Sequence, residues 1–322
     1  MKKIVLGSLL AVFVSSASAA ININVRYDDG SVPQQVYPIV KPKEATQKVQ
    51  EYNVKTVVPY FGGIGYENSA NKSIKDKSLF GGLYASIGNL SYLSEFSYGY
   101  LNTSYKNGIV ADLKQHDIAF MHSKYYRSYM FKGGLHYINT NDTVLGDGII
   151  LITALGGYTF KAYEKYSYGV EGYYSHYKDG HDENGVQKSI SMVQFTPYFG
   201  FYKAIDINNK NSLNIKFNYE IASDYAKKSY SSFEVSDTYY YRRLFSTLKA
   251  CFGEMKTGVK DGGIVVYNSL DLKKSGYSLR VGYYLKNHFI ISASYGIDSY
   301  REYLKSEDAK NDTALFSLSY RY

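Results

Sequence analysis

Apolar and polar residues alternate along most of this 322-residue chain. The segment 213–221, for example, has Leu213 and Phe217 on one side and Lys216 and Glu220 on the other. Side chains of a β-strand point alternately to its two faces, so the pattern predicts strands with one apolar and one polar face. No long amphipathic helix interrupts the alternation, which therefore predicts an all-β fold.

The alternation predicts fourteen strands, with twelve or sixteen as alternatives. The segment 263–270 alternates more weakly than the others, and it is included because the strands before and after it must run in the same direction. Tight turns are predicted at Gly88–Asn89, Ser123–Lys124, 161–164 and Lys286–Asn287, with longer polar loops between them. The predicted strands are 54–66, 78–88, 90–101, 113–123, 127–139, 148–160, 164–177, 189–203, 211–222, 238–252, 263–270, 277–286, 288–299 and 313–322.

Segments of this length span a lipid bilayer when they are tilted. Alternation of tight turns with long loops is typical of transmembrane barrels, which have short periplasmic turns and long extracellular loops. The alternative is a periplasmic β-sandwich or a lipocalin-like barrel whose polar face meets water. The number of strands favours a transmembrane, antiparallel, up-and-down β-barrel.

The start of the chain has the features of an export signal. Two lysines precede an apolar stretch from Ile4 to Val14, and Ala17 and Ala19 form an A-x-A cleavage site. Cleavage near Ala19 removes Lys2 and Lys3 and lowers the net charge from +8 to +6. We expect three parts: a signal peptide at 1–19, a periplasmic segment or lumen plug at 20–53, and the barrel at 54–322.

The last strand ends on an aromatic residue, and alternate residues before it are apolar or aromatic: Phe316, Leu318, Tyr320 and Tyr322. This pattern resembles the C-terminal strand of Gram-negative outer-membrane β-barrels, in which the barrel-assembly machinery reads it as a signal. The usual final residue there is Phe, whereas here it is Tyr. The resemblance is to the class and to no specific porin family. It implies an outer-membrane location, contact with lipids and lipopolysaccharide, and assembly by that machinery.

Tyrosine is the most unusual component of the composition, with 38 residues, while tryptophan is absent. A tyrosine ring can face lipid while its hydroxyl reaches headgroups and water, so belts of tyrosine mark the bilayer interfaces. The single cysteine, Cys251, excludes an internal disulfide. The predicted belt residues are Tyr66, Tyr98, Tyr100, Tyr137, Tyr166, Tyr168, Tyr277, Tyr320 and Tyr322.

Fourteen strands enclose a lumen too wide for side chains to close completely, so we expect a water channel or a plugged lumen. The predicted inward positions carry slightly more cations than anions, which favours permeating anions. The alternative is that these charges pair across the wall and only stabilise the barrel. The candidate pore-lining residues are Lys132, His136, Lys216, Arg243, Lys249, Arg280, Arg321, Glu95, Asp117, Glu171, Glu220 and Asp298.

The sequence therefore predicts a porin-like channel for passive diffusion of small hydrophilic solutes or ions. The alternatives are a structural or adhesive barrel whose loops contact a host or a phage, and a barrel enzyme or hydrophobic-solute transporter.

No histidine has a serine two positions later, as in barrel lipases, and no local protease motif is present, so we expect no enzyme. The residue types of Asp179, His181, Asp182 and Glu183 suit a metal site, but the preferred interpretation of this segment is a solvated extracellular loop. We expect no cofactor and no nucleic-acid partner, because the positive charge is scattered.

Overall fold

The computed structural model describes residues 54–66, 75–106, 111–141, 146–161, 163–178, 186, 188–223, 228–266, 271–285, 288–301 and 308–322. Among these residues, none of the helices has the length and apolar character of a membrane span. The predicted signal peptide, the segment 20–53 and the loop at 179–183 lie outside the described residues.

The described residues form a closed antiparallel barrel of fourteen strands. Each strand pairs with its neighbours along the chain, β1 pairs with β16, and β11 pairs with β14. The two-residue strands β12 and β13 lie in the connection between β11 and β14 and pair only with each other. The strands are β1 Val54–Tyr66, β2 Lys75–Gly88, β3 Tyr92–Tyr105, β4 Leu113–Tyr126, β5 Tyr129–Thr140, β6 Gly148–Lys161, β7 Glu164–Tyr177, β8 Ile190–Ala204, β9 Asn209–Ala222, β10 Ser229–Tyr241, β11 Leu244–Met255, β12 Val259–Lys260, β13 Val265–Val266, β14 Leu272–Tyr284, β15 Phe289–Arg301 and β16 Asp308–Arg321.

The alternation in the sequence matches the two faces of the barrel wall. In β4, residues 113 to 123 alternate between buried and exposed: Met121 is fully buried inside the barrel, whereas 54% of Phe120 is exposed on its outer surface. Large apolar side chains cover the outer surface of every part of the wall, a pattern that in water would be an aggregation surface. A lipid bilayer solvates such a surface, so the prediction of a transmembrane barrel is confirmed.

The two ends of the barrel differ. Connections of two to four residues join the strands at one end, which we call the turn end, and longer connections join them at the other, the loop end. Exposed aromatic side chains mark the turn end, as expected for an interfacial belt. They include Tyr126, Tyr129, Phe160, Tyr163, Tyr241, Phe289 and Tyr322.

The sequence pattern missed one tight turn and misplaced another. The predicted strand 238–252 is in fact parts of β10 and β11, which are joined by a turn at Arg242–Arg243. The predicted turn at Ser123–Lys124 lies within β4, and the chain turns at Arg127–Ser128 instead. Arg242 and Arg127 both have φ of 53°, in the left-handed region that glycine and asparagine favour. Because arginine occupies these positions, the usual turn residues are absent, and the sequence does not indicate the turns.

The predicted barrel strand at 263–270 is also wrong. Residues 263–266 belong to a connection inside the barrel, and 267–270 lie outside the described residues. The predicted count of fourteen strands is confirmed, because the strand wrongly added at 263–270 replaces the one missed when β10 and β11 were merged.

Most of the predicted belt tyrosines lie on the outward-facing side of their strands. Tyr137, Tyr168 and Tyr277, for example, are exposed on the outer surface. Tyr66 is an error: only 3% of it is exposed, and its hydroxyl hydrogen-bonds with Ser78 inside the barrel at 2.8 Å. Proximity to a strand end placed Tyr66 in the belt, whereas its position in the alternation of β1 directs it inward.

An arginine on the outer surface tests whether this wall faces lipid. Phe120 is the eighth of the fourteen residues of β4, and Tyr126 is the last. We expect Phe120→Arg to lower the free energy of unfolding from lipid vesicles by about 2–4 kcal/mol, and Tyr126→Arg by about 0–1 kcal/mol. Equal losses in the two variants would contradict a lipid-facing band centred on the middle of the strand.

Candidate functional site

The connection between β11 and β14 folds into the barrel. Its residues 256–266, which we call the inner loop, are all buried, although they connect two strands at the loop end. In the strand order of the barrel, β5 and β6 lie nearly opposite β11, and the short helical turn at Asp261–Gly263 contacts both of them. The inner loop therefore crosses the lumen from one wall to the other.

Side chains of the wall satisfy the backbone of the inner loop. The Gln194 amide hydrogen-bonds twice with Val259: its Nε2 donates to the Val259 carbonyl, and the Val259 N–H donates to its Oε1, both at 2.7 Å. The Glu220 carboxylate accepts the N–H of Lys256 at 2.8 Å. Buried backbone groups need such partners. The wall thus offers the inner loop a specific docking site on β8 and β9.

The tip of the inner loop docks against the far wall. The Nδ1 of His136 donates to the carbonyl of Gly263 at 2.9 Å, and its Nε2 lies 3.3 Å from Asp117. Gly263 has φ of 103°, and a Cβ there would lie 2.3 Å from the Cδ1 of Ile152. Only glycine combines this backbone conformation with so close an approach. The contact therefore depends on Gly263.

Ion pairs hold the middle of the inner loop. Lys260 lies 3.2 Å from Glu234, and Lys249 lies 3.1 Å from Glu234 and 3.6 Å from Asp261. Burial raises the pKa of the Asp261 carboxyl above its usual range, although the Lys249 ammonium opposes this effect. Two residues of the inner loop and two of the wall thus form an alternating cluster of cations and anions.

An apolar cluster packs against the inner loop on the side of the loop end. Ile264, Val265 and Val266 of the inner loop share this cluster with inward-facing residues of the surrounding strands. Many of these wall residues lie next to the long connections, alongside the buried ion pairs Lys75–Asp271 and Lys273–Asp298 at the same end. The wall residues include Ile138, Ile150, Ile152, Tyr177, Ile190 and Met192.

A cavity of about 260 Å³, whose lining includes the charged residues Lys132, Glu171 and Lys216, lies on the other side of the inner loop, toward the turn end. Asp261 and Gly262 border it, and residues next to the tight turns, including Asn89 and Tyr158, line it as well. The inner loop therefore separates this cavity from the apolar cluster on its other side.

The structure places almost all of the predicted pore-lining residues on the inward face of the wall. The exception is Arg243, which is exposed in the turn between β10 and β11 because the strand predicted around it was wrong. A role in permeation stays a prediction for the others. Those on inward positions are Glu95, Asp117, Lys132, His136, Glu171, Lys216, Glu220, Lys249, Arg280, Asp298 and Arg321.

Most of these charges are brought together in pairs. Lys132 lies 3.0 Å from Glu95, and Lys216 lies 3.2 Å from Glu171. Lys273, which was not among the predicted residues, pairs with Asp298. Pairing reduces the net charge that a permeating ion would meet. It agrees with the alternative stated above, in which the charges pair across the wall and stabilise the barrel.

Sequence reasoning missed the residues that dock the inner loop, in particular Gln194, Glu234 and Lys260. Glu234 was assigned to a loop at 223–237, whereas it lies on the inward face of β10. The run Asp261–Gly262–Gly263 is typical of a turn. Its first two residues were assigned to a loop, and Gly263 to the start of the strand predicted at 263–270. That signal could have indicated a bend there, but not that the bend lies inside the barrel.

No group of three or more potential metal ligands is present among the described residues, and the candidate at 179–183 lies outside them. The pair of Asp117 and His136 has the form of part of a catalytic triad. The second ring nitrogen of His136, however, already contacts the carbonyl of Gly263. It is not free to activate a nucleophile.

No protein-family model matches the chain, and no curated protein matches it. Solved structures of similar shape include the Pseudomonas putida toluene transporter TodX, at 9% sequence identity and a TM-score of 0.44, covering 84% of this chain and 89% of that one. A Pseudomonas aeruginosa FadL homologue has 11% identity and a TM-score of 0.45, with 85% and 90% covered. The NanC porin has 10% identity and a TM-score of 0.42, with 81% and 98% covered. At these identities and TM-scores, none of the properties of those proteins carries over to this chain.

Proposed function

We propose that this protein is an outer-membrane channel for small hydrophilic solutes, closed in this structure by the inner loop. The observation that carries the proposal is the docking of the inner loop across the lumen through hydrogen bonds and ion pairs. Water can replace such contacts when the inner loop moves, whereas a fully apolar plug would have to expose its whole surface. The cavity at the turn end supports the same function, because charged residues such as Lys132, Glu171 and Lys216 line this part of the lumen.

In this proposal the turn end faces the periplasm and the loop end faces outward, as in other transmembrane barrels. The partners are outer-membrane lipids, lipopolysaccharide and, through the C-terminal strand, the barrel-assembly machinery. Export by a signal peptide cleaved near Ala19 belongs to the same proposal. The expectation that the chain is not an enzyme stays a prediction.

The apolar cluster at the loop end favours a second candidate. A barrel that moves hydrophobic solutes, or one that only displays its loops, needs no hydrophilic path past this cluster. The buried side chains of Ile264, Val265 and Val266 are suited to either role. An ionic conductance distinguishes the channel from both alternatives.

Recording from planar bilayers in a salt gradient tests the proposed function. We expect brief openings of the full chain from a closed state, and a reversal potential shifted modestly toward the anion. The shift is small because Glu95, Glu171 and Glu234 pair with inward-facing lysines. Cation selectivity would contradict the anion preference. If neither the full chain nor a variant lacking the inner loop conducts, the channel itself is excluded.

A further inference from the structure

Arg280 differs from most of the charged residues of the lumen. It lies on the inward face of β14 with 7% of its surface exposed, and no described carboxylate lies within ion-pair distance of it. Most other buried cations of the lumen have such a partner: Lys75, Lys132, Lys216, Lys249, Lys260 and Lys273. Within the described part of the chain, Arg280 is therefore a buried cation without an anion.

Neighbouring side chains hold the Arg280 guanidinium in one orientation. Its Nε and Nη2 donate to the hydroxyl of Ser292 at 3.1 and 2.8 Å, and that hydroxyl lies 2.7 Å from the hydroxyl of Ser317. The guanidinium carbon lies 5.4 Å from the ring centroid of Phe245. Nη1 is buried and has no hydrogen-bond partner. One edge of the guanidinium is thus fixed by the wall, and Nη1 is left unused.

The backbone leaves space for the ring under Arg280. A Cβ at Gly282 would lie 2.2 Å from the ring of Phe245, so only glycine at this position permits the ring to lie there. The ring of Tyr284 lies on another side of Phe245, with the centroids 5.7 Å apart. Arg280 is therefore supported by an ordered aromatic base rather than placed loosely in the lumen.

A buried cation without a counter-charge is strongly unfavourable, and a bound anion removes the penalty. The planar guanidinium presents paired N–H groups that match the two oxygens of a carboxylate. Lysine side chains lack this geometry, so a lumen that needed only positive charge would not require arginine. The chemistry at Arg280 therefore suits a carboxylate.

Further hydrogen-bonding groups without partners lie on the same wall, toward the loop end. Arg280 is opposite Ser294, and Ser294 is opposite Leu315 of β16. Thr313 and Asn311 are the next two inward positions of β16, spaced by about 7 Å. Both are buried, and the Thr313 hydroxyl and both polar atoms of the Asn311 amide have no hydrogen-bond partner. They lie about 14 and 20 Å along β16 from Ser317, beside which the Arg280 guanidinium is held, so a small solute bound at Arg280 does not reach them.

We propose that Arg280 binds the carboxylate of a small solute. The hydrogen bonds of the inner loop described above go to other walls, on β5, β8 and β9, so this site does not compete for them. The inference rests on the proposed function for the passage of the solute, but binding itself does not require an open channel.

Binding is tested with acetate on the full chain folded in detergent. Potassium acetate is compared with potassium chloride at equal concentration, and the midpoint of thermal unfolding is measured. We expect acetate to raise the midpoint more than chloride, and Arg280→Gln to weaken this acetate effect by about tenfold or more in apparent affinity. Arg243→Gln, at an exposed arginine in a turn, is the matched control and keeps the full effect.

Arg280→Lys keeps the charge but loses the paired N–H groups of the guanidinium, so it separates binding from folding. A lysine variant that folds and binds acetate weakly supports the site. Acetate and chloride acting equally on the wild type, or an acetate effect unchanged in Arg280→Gln, would overturn the proposal. In a variant with a shortened inner loop, Arg280→Gln should also lower the acetate-to-potassium permeability ratio severalfold. If that variant does not conduct, the channel proposal fails while the unfolding experiment still decides the binding site.

Discussion

Shortening the inner loop raises the single-channel conductance by at least about tenfold, because a fourteen-strand barrel is wide enough to hold a water-filled path. The variant replaces residues 257–266 with two glycines, which leaves enough chain to join β11 to β14. The barrel strands keep their pairing, since the inner loop contributes none of the hydrogen bonds between them. The measurement is the conductance of single channels in planar bilayers.

The control for this variant shortens a different connection. Residues 302–307 join β15 to β16 at the same end of the barrel, and we expect their shortening by two residues to leave the conductance near that of the wild type. If the conductance is the same with and without residues 257–266, the inner loop is not what closes the lumen.

A single substitution at Gln194 should loosen the inner loop without removing it. Gln194→Leu keeps a side chain of similar size but leaves the N–H and the carbonyl of Val259 without their partners. A buried polar group without a partner costs about 1–3 kcal/mol, so the fraction of time spent open should rise by at least about tenfold. The measurement is the open fraction in single-channel records.

Thr238→Val is the matched control for Gln194→Leu. Thr238 is also a buried, inward-facing polar residue, and its hydroxyl bonds with that of Thr247 on the neighbouring strand, at 2.9 Å, rather than with the inner loop. We expect its open fraction to stay near the wild-type value. Equal open fractions in both variants would indicate that general damage to the wall, not release of Val259, opens the channel.

The barrel wall could be predicted from the sequence because alternation is a local property. In β4 and β16 every second residue is buried, and each strand shows this within about fourteen residues. Two turns could not be predicted, since Arg127 and Arg242 adopt a left-handed backbone conformation that an arginine in the sequence does not indicate. The assignment of Arg243 to the pore failed for this reason.

The inner loop could not be predicted because its partners are far away in the sequence. Gly263 contacts His136, 127 residues earlier, and Val259 contacts Gln194, 65 residues earlier. Nothing in the run Ile264–Val265–Val266 distinguishes apolar residues packed inside a lumen from those of a strand facing lipid. The sequence indicated most of the charged residues of the lumen, but their pairing depends on which strands face each other.

The most direct test of a closed lumen uses Cys251, the single cysteine of the chain. It is buried on β11, and its sulfur lies 3.8 Å from the Nζ of Lys260 in the inner loop. The measurement is the rate at which a charged, water-soluble thiol reagent modifies Cys251 in the folded protein. If the inner loop closes the lumen, replacing residues 257–266 with two glycines raises this rate by at least about tenfold, because access limits the reaction. Equal rates in the wild type and the variant would contradict the account.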